Sequence, residues 1–110
     1  MEDEKQDIRW KQRFVHYCKA YSLLEQTVAI EKPSEAERAG LIQFFEMAFE
    51  LALKVLKDNL EEEGFAPKSP RETIKLAFQS GLIMDGHLWM EALKDRNLTV
   101  HTYEEKIAIF

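Results

Sequence analysis

Cysteine, glycine and proline are scarce in this sequence, whose 110 residues include one Cys, four Gly and three Pro. The single cysteine, Cys18, excludes an internal disulfide and suits a reducing compartment. Because Cys18 lies on an apolar helical stripe, we expect its thiol to be buried and structural. With so little Gly and Pro and no repeat, only the charged segment 1–7 is a candidate for disorder.

Positive charge is also in short supply, since 20 acidic residues face 15 basic ones and the formal net charge is -5. This excludes a protein-wide positive field that would attract nucleic acid, so any RNA contact must be local. The most apolar stretch, residues 41–56, is interrupted by charged side chains, and the acidic N-terminus lacks the apolar core of a signal peptide. We therefore expect no membrane span and a cytoplasmic protein.

Two kinds of site are missing from the sequence. His16, His87 and His101 are far apart and have no His or Cys partner four residues away, so no metal site is expected. The glycines are scattered and form no Gly-rich phosphate-binding loop. The sequence therefore predicts neither a metal nor another cofactor.

Helical spacing is what the sequence has in abundance. Apolar residues spaced by three and four predict helix 1, namely Trp10, Phe14, Tyr17, Tyr21, Leu24 and Val28. Ser34 and Glu37 form a capping box that begins helix 2, which should run to about Glu63. The apolar surface of helix 2 is broader than one packing partner requires, which indicates contacts with helices on two sides or with another chain. Its aromatic residues, Phe44, Phe45 and Phe49 with Met47, suit a core or interface better than a platform for stacking bases.

Capping signals divide the remaining residues. Ser69, Pro70 and Glu72 predict the start of helix 3, which should stop at Gly81, and Asp85 should cap helix 4. Thr102 and Glu105 form another capping box, so we expect helix 4 to break near His101 and a fifth helix to begin at Tyr103. No segment alternates like a strand. The expected fold is all-α: a single domain, 1–110, forming an antiparallel up-and-down bundle of four to five helices.

Side chains capable of chemistry are concentrated near the C-terminus, where Arg96, Asn97, His101 and Tyr103 fall within eight residues. On a continuous helix Asn97 and His101 would share a face, about 40° apart, whereas Arg96 would lie about 140° from His101. A structural alternative is that Arg96 pairs with a carboxylate such as Asp95 or Glu91 and that His101 caps helix 4.

The segment Arg96-Asn97-Leu98-Thr99-Val100-His101 resembles the Arg, four residues, His motif of HEPN domains, and Tyr103 extends it to the form found in HepT-like members. Other segments look like the nucleotidyltransferase substrate-binding protein family and follow in order from Arg13 onward: Gly40-Leu41-Ile42-Gln43-Phe44-Phe45-Glu46, Leu56-Lys57-Asp58, Ser69-Pro70-Arg71, Gly81-Leu82-Ile83 and Asp95-Arg96-Asn97.

This resemblance implies a helical bundle that forms a homodimer or higher homo-oligomer and acts beside a separately encoded minimal nucleotidyltransferase. By similarity, His101 would act as acid or base and Arg96 would bind phosphate in metal-independent RNA cleavage. Asn97 would orient His101 or the phosphate, and Tyr103 would accept AMP from the partner enzyme, as in HepT-like toxin–antitoxin pairs. The same residues could instead bind RNA or a nucleotide without cleaving it, as a regulatory subunit would, or serve only the structure of the bundle.

Overall fold

Four helices make up the protein in a computed structural model that describes the backbone of residues 2–109 and the side chains of residues 8–99. They are α1 (Glu2–Val28), α2 (Glu35–Glu62), α3 (Pro70–Gln79) and α4 (Gly86–Ile109). Within the described backbone there is no β-strand. The predicted all-α helical bundle is confirmed.

Short polar caps begin three of the helices where the sequence predicted them. The Ser34 hydroxyl accepts the Glu37 N–H at 3.1 Å, and the Glu37 carboxylate accepts the Ser34 N–H at 2.9 Å. The hydrogen bond from the Ser34 backbone N–H, with a smaller contribution from the Ser34 side chain, holds the pKa of Glu37 below its usual value. At the other two starts, the N–H of the third helical residue donates to the side chain of Ser69 or Asp85, at 3.1 and 3.0 Å respectively.

The prediction of a fifth helix is wrong, because α4 continues without a break from Gly86 to Ile109. Thr102 and Glu105 therefore lie inside α4 rather than at a helix start. A capping pair can start a helix only where the preceding helix ends, and no Gly or Pro follows Gly86 to end it. The segment from Arg96 to Tyr103 is consequently one stretch of helical backbone.

The core lies where α2, α3 and α4 meet, and α2 is its central element. The core consists of the buried apolar residues Phe49, Leu53, Leu56, Leu60, Ile74, Ala77 and Ile83. Leu60 and Ile74 are fully buried, and side chains of α4 such as Trp89 and Leu93 pack against this cluster. Helix α2 contacts α1, α3 and α4, so most of its broad apolar surface packs within the chain, while Ile42 and Met47 stay exposed.

Helix α1 packs on α2 alone among the described residues, and much of its apolar stripe remains exposed. Phe14 and Tyr21 retain 45% and 47% of their exposure, while Ala20 is buried. The expectation that Cys18 is buried is wrong, because its thiol is exposed. Helical spacing places Cys18 about 100° around α1 from Tyr17, which is far enough to leave the face that contacts α2.

An ion pair between Arg13 and Asp58 joins α1 to α2. Nη1 of Arg13 donates to both carboxylate oxygens of Asp58, at 2.7 and 2.8 Å. The Asp58 side chain is only 9% exposed, whereas that of Arg13 is 33% exposed. Asp58 is thus a nearly buried charge that depends on an arginine from another helix.

An apolar groove of about 190 Å³ separates α1 from α4, with α2 as its floor. Tyr17 and Tyr21 form one wall and Leu88 and Trp89 the other. Burial, reinforced by the nearby Tyr21 and Cys18, raises the pKa of Tyr17 and keeps its phenol neutral. None of the described helices combines the length and the apolar character needed to cross a membrane.

Candidate functional site

Arg96 of α4 is held by a carboxylate from α2. Its Nη1 donates to Glu50 Oε1 at 3.2 Å, and the Arg96 side chain is 19% exposed. The structural alternative expected Arg96 to pair with a carboxylate, and it does, but with Glu50 of α2 rather than with Asp95 or Glu91 of its own helix. Glu91 instead lies 3.3 Å from the imidazole of His87, one helical turn earlier on the exposed face of α4.

A second contact between α2 and α4 lies one turn away. Thr99 Oγ1 lies 3.1 Å from Glu46 Oε1 and 2.9 Å from the backbone oxygen of Arg96, so its proton is shared between two acceptors. Glu46 and Glu50 are four residues apart on α2, while Arg96 and Thr99 are three apart on α4, so both pairs occupy neighbouring turns. Together they fix the rotation of α4 where the candidate site begins.

The guanidinium of Arg96 is not fully satisfied by these contacts. Its Nε is buried and has no hydrogen-bond partner among the described residues. An arginine presents five N–H donors and is always charged at neutral pH. A buried donor without a partner costs about 1–3 kcal/mol, and such groups are few in native proteins.

The other predicted site residues fall into two groups. Asn97 is exposed on α4. The side chains of His101 and Tyr103 lie outside the described residues, so their predicted roles stay predictions. The continuous backbone nevertheless fixes their helical positions, with Asn97 and His101 about 40° apart and Arg96 and Tyr103 about 20° apart around the axis.

A basic groove adjoins Arg96, and sequence reasoning missed it. We define it by Lys54 and Lys57 of α2, Lys68 of the loop before α3, and Arg96 of α4. It encloses about 350 Å³, and Glu50 is the acidic side chain that lines it. Each of these residues is unremarkable in the sequence, since the lysines are separated from Arg96 by 28 residues or more.

The aromatic residues of α2 behave mainly as core. The Phe49 ring lies 5.9 Å from the Phe45 ring and 5.9 Å from the Trp89 ring of α4, and Phe49 is buried. Met47, which was grouped with them, is 43% exposed. The preference for a core over a stacking platform is supported for Phe45 and Phe49.

The fold and the site together define a small helical-bundle protein with a charged site between α2 and α4. The chain belongs to the nucleotidyltransferase substrate-binding protein family, because the model described as "Nucleotidyltransferase substrate binding protein like" matches residues 12–109. The resemblance predicted from the sequence motifs is confirmed.

Two relatives support this assignment. The chain is 33% identical over 76 residues to a Haemophilus influenzae protein described as "Probable ribonuclease HepT". That match covers 64% of this chain and 52% of the relative, so the chain spans about half the relative's length. A Thermus thermophilus protein known from a crystal structure is 41% identical, with a TM-score of 0.72 over 84% of this chain and 80% of that one.

Proposed function

We propose that this chain is the substrate-binding partner of a separately encoded minimal nucleotidyltransferase and carries metal-independent RNA endonuclease potential. The observation that supports this most directly is Arg96, which is the first residue of the HEPN motif and is anchored by Glu50 beside a basic groove. The helix that carries it continues through the position of His101. The relative named as a ribonuclease supports the same chemistry.

The proposed reaction uses groups that are active at neutral pH. An imidazole can accept or donate a proton near neutral pH, and His101 takes the proton from a ribose 2′-OH as that oxygen attacks the adjacent phosphorus. The bond from phosphorus to the 5′ oxygen breaks, and the leaving oxygen receives a proton from an imidazolium. Arg96 stabilises the charge on the phosphate oxygens, and Asn97 orients the phosphate or His101. The products are a 2′,3′-cyclic phosphate and a 5′-hydroxyl.

A homodimer would bring two copies of this motif to one cleft and supply both the base and the acid. The exposed apolar stripe of α1, including Phe14, Tyr21 and Val28, gives the surface such an assembly needs. In the proposed pair, the Tyr103 hydroxyl attacks the α-phosphorus of ATP held by the transferase, pyrophosphate leaves, and the AMP now on Tyr103 silences cleavage. The two proteins are then a toxin and its antitoxin.

A second candidate function is a regulatory subunit that binds a nucleotide and does not cleave RNA. The family description favours it, since that description names substrate binding. In this case Arg96 and His101 hold the substrate of the partner transferase, and the chain lowers the KM of that enzyme.

Incubation of purified protein with labelled single-stranded RNA in EDTA tests the nuclease. We expect cleavage to cyclic-phosphate ends, and we expect His101→Ala to lower the rate at least about 100-fold. His87→Ala is the matched control, because His87 lies on the same helix, is 85% exposed and should leave the rate unchanged. Intact RNA after exposure to the wild-type protein at high concentration would eliminate the nuclease and leave the binding role.

Co-expression with a minimal nucleotidyltransferase from the same genome tests the partnership. A stable complex and a lower KM for nucleotide would support both candidate functions, and mass spectrometry should find AMP on Tyr103 only if the toxin–antitoxin role is right. Failure of the two proteins to co-purify or to alter one another's activity would refute the proposed partnership.

A further inference from the structure

The basic groove has a charge opposite to that of the whole protein. Four cationic side chains line it against a single lining carboxylate, in a chain with a net charge of -5. Lys54, Lys57 and Lys68 are exposed, and none has an ion pair or side-chain hydrogen bond with the rest of the described chain. Their charges are therefore available to a ligand rather than used in the fold.

Two carboxylates at the groove, Glu50 and Glu72, already accept hydrogen bonds. Glu50 accepts the hydrogen bond from Arg96. Glu72, beyond the lining residues, accepts the backbone N–H of Lys68 at 3.2 Å. Both carboxylates reduce the positive potential of the groove, but neither pairs with the ammonium group of Lys54, Lys57 or Lys68. The groove therefore attracts anions.

The groove is shaped for a chain of phosphates more than for a base. Lys54 and Lys57 are three residues apart on α2, which puts their β-carbons about 5–6 Å apart on one face. Leu53 and Pro67 form buried apolar parts of the wall, and no aromatic ring is found among the described residues that line it. Base recognition in single-stranded nucleic acid usually depends on aromatic stacking, whereas backbone recognition depends on Lys and Arg.

We propose that the basic groove binds the phosphate backbone of single-stranded RNA next to the scissile bond and leads that strand to Arg96. The inference rests on the proposed RNA substrate. Lys54, Lys57 and Lys68 each neutralise one phosphate, independently of the base sequence. They are positioning residues, since they hold phosphates that do not react.

Binding of a strand that cannot be cleaved separates this inference from the nuclease proposal. The probe is a fluorescein-labelled 2′-O-methyl RNA oligomer of twelve uridines, whose blocked 2′-oxygens cannot attack phosphorus. Anisotropy gives its Kd in EDTA over a series of salt concentrations. The test variant is Lys54→Gln/Lys57→Gln/Lys68→Gln, and the control is Lys19→Gln/Lys75→Gln/Lys94→Gln.

The control removes the same total charge from exposed lysines that do not line the groove. Each phosphate contact to a single strand contributes roughly 0.7 to the slope of log K against log salt. The groove variant should therefore lose about two units of slope and bind about 30- to 100-fold more weakly near 0.1 M salt. The control should stay within about threefold of wild type, because its lysines make no phosphate contact in this arrangement.

The outcomes distinguish the two proposals. Equal weakening by the two triple variants, or an unchanged slope in the groove variant, would overturn the groove assignment. Lysine-dependent binding of ATP without binding of the oligomer would overturn it too, in favour of a nucleotide site. Tight groove-dependent binding with no cleavage of ordinary RNA would leave the groove standing and refute the nuclease. On cleavable RNA, the groove variant should raise KM and leave kcat close to wild type.

Discussion

The ion pair between Arg13 and Asp58 allows a quantitative prediction about what joins α1 to the bundle. Arg13→Ala leaves a carboxylate that is 9% exposed without its cation. Breaking a fully buried pair costs about 3–5 kcal/mol. Because the Arg13 side chain is 33% exposed, water can reach part of the pair. We therefore expect a loss of about 2–3 kcal/mol, or roughly 10 °C in Tm.

Urea unfolding followed by circular dichroism at a fixed protein concentration measures this loss. Asp58→Asn keeps an acceptor but removes the charge and should cost only about 1 kcal/mol. Arg9→Ala, one turn earlier on α1 and exposed, is the control and should change stability by less than about 0.5 kcal/mol. In a double-mutant cycle, the Arg13 and Asp58 substitutions should show a coupling of about 2 kcal/mol. Additive effects, or a loss from Arg13→Ala no larger than that from Arg9→Ala, would refute the reasoning.

Three further predictions concern the core, the site and a cap. Phe49→Ala should lower the free energy of unfolding by about 3–5 kcal/mol, measured in the same urea assay, because it empties the centre of an aromatic cluster. Glu50→Gln should strengthen binding of the uncleavable oligomer about 2- to 5-fold by removing the charge that opposes Arg96; weaker binding would contradict this. Ser34→Ala should raise the pKa of Glu37 only part of the way to its usual value, as seen by NMR titration, because the variant keeps the Ser34 backbone N–H that contributes most. The lowered pKa of Glu37 stabilises the fold at pH values above the usual pKa of that group, and this contribution is lost as the pH falls. The variant should therefore lose less stability on acidification than wild type.

Local signals explain why the fold was largely predictable. Ser34 with Glu37, Ser69 with Glu72, and Asp85 each satisfy helix N–H groups within four residues, so their effect is contained in the sequence. The fifth helix shows the limit of such signals. Thr102 and Glu105 have the same pattern, but the helix before them has no reason to end, and helix propagation is favourable once a helix exists.

The candidate site was predictable only in part, because its partners are distant in sequence. The motif pointed to Arg96, whereas its anchor Glu50 lies 46 residues away and has no distinguishing neighbours. Likewise, Lys57 and Lys68 become neighbours only when α2 and the loop before α3 pack together, and the negative net charge hides them. The net charge of a chain averages over its whole surface, so it does not reveal a small basic groove on an otherwise acidic protein.

Because α4 is uninterrupted, the number of residues between Arg96 and His101 sets both the distance and the angle between them. A loop could absorb an added residue, but in a helix each insertion turns everything beyond it by about 100° and advances it by about 1.5 Å. One residue added after Arg96 would therefore move His101 to another side of the bundle, even though every side chain of the motif was retained. The number of residues between the two is thus itself a structural quantity, set by helix geometry and referenced to the core through Glu46 and Glu50.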